Sequence, residues 1–178
     1  MPMNTLQELF THELGDIYDA EQRILQILPT LVSDCADPQA KQAYQTHEQE
    51  TRQQIQNLEQ VYQLLGQPPK RIPCTAVEGL KQEHDSFLKE NPTDTVLTMF
   101  DLGAAFKTEH YEIASYLGLI EKAQLMGLSQ AVPLLQQNLQ QEEAMAQRVQ
   151  QIAHQLGPQQ IGQMGQIGQA GFQPQVNP

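Results

Sequence analysis

The 178-residue chain contains no tryptophan, only two cysteines and only ten basic residues. Cys35 and Cys74 form neither a CxxC pair nor a disulfide framework. Ten Lys and Arg against 21 Asp and Glu give a net charge of −11. This balance argues against a nucleic-acid partner, because no basic stripe exists to neutralise phosphates, and against docking on an anionic membrane. No run of about 18 apolar residues is present, so we expect no transmembrane helix.

The N-terminal sequence, Met-Pro-Met-Asn-Thr-Leu-Gln-Glu, lacks the basic and apolar regions of a signal peptide. Together with the cysteine usage, this predicts a reduced, cytoplasmic protein. The acidic excess is compatible with cation binding, although a solvated acidic surface is the commoner explanation. Runs of β-branched residues are scarce and glutamine is abundant, which favours helix.

Apolar residues that recur with a 3.6-residue period predict four long helices, over residues 5–32, 39–65, 95–126 and 129–156. Asp37 is a plausible N-cap for the second, with Pro38 at its first position. Short links make each successive pair of helices an antiparallel hairpin. The link between the pairs, residues 66–92, is long and contains a short helix near 76–89. One long crossover is the ferritin-like topology. The sequence therefore predicts an all-α, ferritin-like antiparallel four-helix bundle.

The character of the chain changes after Gly157 and Pro158. Glycines recur every third residue among glutamines, and no Asp, Glu, Lys or Arg follows Arg148. We predict that residues 1–156 form the bundle. Residues 157–178 are predicted to be a Gly/Gln/Pro-rich tail that is flexible or in the polyproline II conformation.

Glutamates interrupt the apolar face of every long predicted helix. Glu109 and Glu112, three residues apart, share one helix face that is otherwise apolar. Glu21, Glu50 and Glu142 lie near the middle of the other three faces. The intervals from Glu21 to Glu50, 29 residues, and from Glu112 to Glu142, 30 residues, place each pair at a similar height in its hairpin. An ionised carboxylate in a dry core costs several kcal/mol unless it is paired or binds a cation.

Two interpretations of these acids remain open. Two divalent cations would neutralise most of the charge, and carboxylate oxygens with imidazole suit iron or manganese. Alternatively, some of the acids are protonated or turn outward at a dimer surface. On the first interpretation the predicted metal ligands are Glu21, His47, Glu50, Glu109, Glu112 and Glu142.

Several neighbouring polar residues are not expected to be ligands. Glu143 lies about 100° around the helix from Glu142 and should be solvated. We expect His110 to make a structural hydrogen bond. The adjacent residues 83–85, Glu-His-Asp, face different directions, so we interpret them as surface residues.

Five segments resemble the YciF/YciE-like branch of the ferritin-like superfamily, a stress-associated group. They are Leu14-Gly-Asp-Ile-Tyr-Asp-Ala-Glu21, His47-x-x-Glu50-Thr, Cys74-x-Ala-x-x-Gly-Leu80, Glu109-His-Tyr-Glu-Ile-Ala114 and Leu139-x-x-Glu142. The resemblance covers about residues 5–156. It implies a rubrerythrin-like bundle, usually dimeric, with a di-iron-type site.

One departure from di-iron bundles affects the choice of metal. Such bundles carry Glu-x-x-His on two helices, whereas this chain reads Glu50-x-x-Gln53 and Glu142-x-x-Met145. His47, one turn before Glu50, could replace one histidine, and nothing replaces the other. Manganese and calcium therefore remain alternatives to iron.

The leading expectation is a di-metal protein with two iron ions, or manganese, that consumes O₂ or peroxide. Tyr18 and Tyr116 are candidates to hydrogen-bond a ligand or relay electrons. The alternative is a non-enzymatic helical dimer whose acidic site is empty or weakly occupied. A third possibility, an iron store, needs a cage, and no cage contacts are identified.

We also expect a homodimer, because apolar residues such as Leu97, Phe100 and Leu117 lie away from the acidic stripe. Light scattering that shows a monomer at micromolar concentration would contradict this expectation.

Overall fold

The structure, a computed structural model, describes the backbone of residues 2–171 and the side chains of residues 2–158. Within these residues there are five helices and no strand. The helices are α1 (Leu6–Asp34), α2 (Pro38–Leu64), α3 (Thr75–Leu88), α4 (Asp94–Leu125) and α5 (Ala131–Gly171). The predicted all-α bundle is confirmed, with α3 as the short helix of the crossover. No helix in this described part of the chain has both the length and the apolar character needed to cross a membrane.

The helix ends are fixed by local side-chain chemistry. Thr5 and Glu8 form a capping box at the start of α1. The predicted N-cap Asp37 is confirmed, since its side chain accepts hydrogen bonds from the first backbone N–H groups of α2. Gly66 and Gly127 have φ values of 66° and 70°, just beyond the ends of α2 and α4. Glycine adopts this left-handed conformation without a steric penalty, so both helices stop there.

The four long helices form a closed ring of contacts around one core. Helix α1 packs against α2 and α4, and α5 packs against the same two helices. Helix α3 lies outside this ring, against α4 and α1. The inner faces of all four long helices therefore meet at mid-length, where the sequence places its glutamates.

The crossover is fastened to α1 before α3 begins. The Ile72 N–H donates to the Gly15 carbonyl at 3.0 Å, and a Cβ atom at Gly15 would lie 2.9 Å from the Lys70 carbonyl oxygen. Asp19, which is buried, accepts hydrogen bonds from the Cys74 N–H at 2.8 Å and Arg71 Nε at 2.7 Å. These contacts hold the start of α3 over the side of α1.

The predicted end of the last helix at Leu156 is wrong. Helix α5 continues through Gly157 and Pro158 to Gly171, so residues 157–171 are helical rather than flexible or polyproline-like. A helix already formed over the bundle extends without a new nucleation step, and glutamine has good helix propensity. Residues 172–178 lie outside the described part of the chain, and the domain boundary after residue 156 stays a prediction.

The apolar residues expected on the outer surface divide into two groups. Phe100 is covered within the chain, because its ring stacks on Phe87 of α3 with centroids 3.9 Å apart. Leu97 is partly buried, whereas Leu117 is 52% exposed, and Leu125, a further apolar residue of α4, is 71% exposed. The homodimer stays a prediction, and Phe100 contributes less to it than the sequence suggested.

Candidate metal centre

Four side chains at the middle of the bundle form one compact donor cluster. His47 of α2, Glu109 and Glu112 of α4, and Glu142 of α5 each offer one donor atom, and these atoms all lie within 4.8 Å of one another. All four residues are at most 2% exposed. A cation with ligand bonds of about 2.0–2.4 Å separates opposite ligands by about 4–5 Å. The spacing of the cluster therefore fits a single bound metal ion.

Glu21 of α1 lies beside this cluster and is fully buried. The Tyr116 hydroxyl donates a hydrogen bond to its Oε1 atom. Its Oε2 atom and both carboxylate oxygens of Glu112 have no hydrogen-bond partner among the described residues. Three buried oxygens on facing helices are thus free to bind a cation.

Glu50 is at the edge of the site rather than in the cluster. Its side chain is 21% exposed, and its Oε2 atom lies 3.9 Å from His47 Nδ1. The other ring nitrogen, His47 Nε2, is 3.4 Å from Glu109 Oε1. Neither contact has hydrogen-bond geometry. His47 therefore stands between Glu50 and the buried acids, with Nε2 turned toward the cluster.

The electrostatics of the cluster oppose ionisation of its acids. Burial raises the pKa values of Glu21, Glu109 and Glu112 well above the ordinary glutamate value of 4.5, and repulsion from Glu142 raises them further. Among the side chains that the structure describes, no lysine or arginine forms an ion pair with these carboxylates, and His47 is their one basic neighbour. The cluster must therefore hold protons or bind a cation.

Buried amide side chains and a tyrosine form a hydrogen-bond network with two of the acids, Glu142 and Glu21. Gln54 Nε2 donates to Glu142 Oε1. Asn138 Nδ2 donates to the Tyr116 hydroxyl at 3.1 Å and to the Gln54 carbonyl at 3.2 Å. Because Tyr116 accepts from Asn138, its own proton is directed to Glu21. Asn57 Nδ2 completes the network by donating to Asn138 Oδ1 at 2.7 Å.

Sequence reasoning missed Asn57 and Asn138 in this role. Their signal was weak: Asn138 lies one turn before Glu142, and Asn57 lies three residues after Gln54, so both share the inner face of their helix. Tyr116 was expected near the site and is there. Tyr18 instead donates to Glu59 at 2.9 Å and makes no hydrogen bond to the cluster.

Three polar residues near the cluster point away from it. Glu143 is exposed, in contrast to its neighbour Glu142. The predicted structural hydrogen bond of His110 is confirmed: its Nδ1 atom lies 2.9 Å from the Phe106 carbonyl oxygen. Gln53 Nε2 donates to Asn57 at 3.1 Å and does not reach the cluster.

The adjacent residues 83–85 do not form a common site. Glu83 pairs with Lys107 at 2.9 Å, on the surface of α3. His84 Nε2 lies 3.1 Å from Asp101 Oδ1. Asp85 pairs with a lysine of its own helix. Glu83 is exposed as expected, whereas His84 and Asp85 are partly buried and lie 3.7 Å apart, so the surface interpretation holds only in part.

A four-helix bundle with a long crossover, and with glutamates and one histidine buried at mid-length, defines a ferritin-like carboxylate bundle. The family model described as "Domain of unknown function (DUF892)" matches residues 5–162, and the chain belongs to this family. The resemblance to the YciF-like family is thereby confirmed.

The chain is similar to named bacterial proteins over most of its length. It is 34% identical to Protein YciF of Escherichia coli (strain K12) over 145 residues, which cover 81% of this chain and 87% of that protein. The crystal structure of the E. coli stress protein YciF matches with a TM-score of 0.82 and 32% identity, covering 88% of this chain and 99% of that one. YcfI from Rhodopseudomonas palustris matches with a TM-score of 0.80 and 37% identity, over 83% and 94% of the two chains.

Proposed function

We propose that this protein binds redox-active metal in the buried cluster and uses it to consume peroxide or O₂. One observation carries the proposal: four donor atoms from three helices lie within 4.8 Å of one another in a buried place. Their carboxylates have no lysine or arginine partner among the described side chains. The similarity to a protein described as an E. coli stress protein supports a role in a stress response.

The donor set indicates which residues would hold the metal. His47, Glu109, Glu112 and Glu142 would hold one cation. The unpartnered oxygen of Glu21 adjoins them and would hold a second cation together with a free oxygen of Glu112. We leave Glu50 out of this ligand set, because its carboxylate lies at the edge of the site, 3.9 Å from the Nδ1 atom of His47.

Iron is the proposed metal, with manganese as the alternative, because oxygen donors with a single imidazole suit both ions. Bound ferrous iron would supply the electrons that reduce peroxide to water. The chain's own contribution is to hold the carboxylates in place: Gln54 donates to Glu142, and Tyr116 donates to Glu21. Each of these acids thereby keeps one oxygen oriented and leaves the other free.

A second candidate is a non-enzymatic bundle whose acids are protonated. Burial raises the pKa values of Glu21, Glu109 and Glu112, so in the absence of a cation these groups retain protons above the ordinary range. Such a core needs no metal. The two candidates differ in whether the folded protein takes up cations stoichiometrically.

Titration calorimetry of chelator-treated protein with Mn²⁺ at pH 7.5 separates them. We expect saturable uptake of about two ions per chain, as in di-metal carboxylate bundles. His47→Leu should weaken the tighter phase by at least about tenfold, since it removes a donor and leaves its neighbours in place. His110→Leu is the matched control, because His110 is exposed and bonds its own helix. Absence of saturable heat would favour the protonated core, and equal weakening by both variants would contradict the assignment of His47 as a ligand.

A further inference from the structure

A cavity of about 100 Å³ extends from the surface of the bundle to the acidic cluster. At its inner end lie His47 and Glu109, which are both 2% exposed. At its outer end lie Lys81 and His84 of α3, which are exposed and partly exposed. The wall between the two ends is mostly apolar and includes Ile24, Leu28, Val77, Ala105 and Met145. A mostly apolar cavity of this order of size has room for a small, largely apolar guest.

Two polar groups in this wall lack a hydrogen-bond partner. Tyr44 is 2% exposed, and its hydroxyl has no partner among the described residues. Burial raises the pKa of Tyr44 above its ordinary value, so the hydroxyl keeps its proton and can donate. Asp101 Oδ1 is also buried, and its 3.1 Å contact with His84 Nε2 lacks hydrogen-bond geometry. The Tyr44 hydroxyl is thus a buried donor without a partner, and Asp101 Oδ1 is a buried acceptor whose neighbour His84 is poorly aligned for a hydrogen bond, so a guest that bonds to both atoms would be favoured.

We propose that this cavity binds a small apolar molecule that carries one hydroxyl group, of the size and chemistry of a phenol. A hydroxyl both accepts and donates, so it matches the Tyr44 donor and the Asp101 acceptor together. Asp101 precedes Glu109 by two turns of α4, about 12 Å along the helix axis. Between these two residues the cavity is lined mainly by apolar side chains, which can contact the apolar part of a guest whose hydroxyl lies at Asp101.

Binding of the guest requires the cavity alone, whereas its role as a substrate rests on the proposed function. Helix α3 forms the outer wall over the guest. Its contacts with α4 include the stacking of Phe87 on Phe100, the His84–Asp101 contact and the Lys107–Glu83 ion pair.

The test is a ¹⁹F NMR titration of chelator-treated protein with 4-fluorophenol and, separately, with fluorobenzene. We expect a saturable 1:1 shift with 4-fluorophenol and an affinity for fluorobenzene that is about three- to tenfold weaker, since it lacks the hydroxyl. Tyr44→Phe should remove most of that preference. Ala105→Leu should weaken both probes at least about tenfold by filling the cavity, whereas Ala114→Leu, at an exposed position of the same helix, should change neither.

Failure of both probes to give a saturable shift overturns the proposal, as does wild-type affinity in Ala105→Leu. If circular dichroism shows that Ala105→Leu does not fold, Ala104→Leu, at another position in the cavity wall, replaces it with the same expected loss. Equal affinity for the two probes in the wild type means that water satisfies Tyr44, and it overturns recognition of the hydroxyl.

Loading the same samples with Mn²⁺ separates this proposal from the proposed function. If both are correct, the bound probe's ¹⁹F signal broadens in the Mn²⁺ protein and not in a Zn²⁺ control. If the probe binds but the protein takes up no metal, the result supports binding of a guest in the cavity and contradicts the metal centre. Metal uptake without probe binding supports the metal centre and contradicts binding of a guest in the cavity.

Discussion

Glu112→Ala will abolish the metal-dependent consumption of peroxide, a loss of at least about a hundredfold, since even lost supporting contacts cost 10–100-fold at metal sites. Glu112 is fully buried in the middle of the cluster, and both of its carboxylate oxygens lack a partner among the described residues. Alanine removes both of these carboxylate oxygens from the cluster. The measurement is the rate of peroxide loss after anaerobic loading of the protein with ferrous iron.

Glu143→Ala is the matched control for this experiment. Glu143 follows the cluster residue Glu142 on α5 but is exposed, so its removal changes the same charge without touching the site. We expect it to retain the wild-type rate. If the two variants lose activity equally, the assignment of helix faces is wrong. If Glu112→Ala keeps the wild-type rate while its fold is intact, the reaction takes place elsewhere.

Glu109→Gln will stabilise the metal-free protein and destabilise the metal-loaded protein. Burial raises the pKa of Glu109 in the folded state above its ordinary value of 4.5. Below pH 4.5 the folded and unfolded states are both protonated, so the group has no effect on their balance. As the pH rises from there through the raised folded pKa, the wild type loses stability, at about 1.4 kcal/mol for each unit between the two pKa values. Glutamine does not titrate and escapes this loss.

Bound metal reverses the effect of the substitution. A cation that binds only the folded state stabilises it by about 2.7 kcal/mol at a free concentration of 100 times Kd. The loss of the Glu109 ligand reduces that gain. We therefore expect chelator to lower the melting temperature of the wild type and to have a much smaller effect on Glu109→Gln.

Thermal melts at pH 5, 7 and 8.5, with chelator and with Mn²⁺, measure both effects. In chelator, the advantage of Glu109→Gln over the wild type should grow with pH. Glu143→Gln, which alters an exposed carboxylate, should show no such trend. A Glu109→Gln variant that is less stable than the wild type at every pH in chelator would mean that the carboxylate serves a structural hydrogen bond.

The register of the buried acids could be predicted because the helical period determines it. Each acid sits on an apolar stripe, so burial of the stripe also buries Glu21, Glu109, Glu112 and Glu142. Glu50 was the exception. The buried line of α2 runs through His47, Thr51, Gln54 and Leu58, and Glu50 lies on its border. When the apolar face of a helix is weak, the 3.6-residue period does not determine which of the residues along its two borders are buried. In α2 this depends on how the helix packs against α5.

The amide network and the cavity could not be predicted from the sequence. Asn57 and Asn138 are uncharged and occur on many solvated helix faces, so their inward orientation depends on the partner helix. The cavity depends on how α3 covers α1 and α4, and the sequence of a crossover does not specify that position. The end of α5 was mispredicted for a local reason: Gly157 and Pro158 are strong stop signals, but a long helix already in place continued through them.

The most direct test of the metal centre is elemental analysis of the protein as isolated, purified without chelator or affinity metal. We predict about two first-row transition metal ions per chain, mostly iron, because the buried acids need compensating charge. Glu112→Ala should carry far less, and Glu143→Ala the same amount as the wild type. Iron and manganese contents near zero in wild-type protein from metal-supplemented cells would contradict the proposed metal centre.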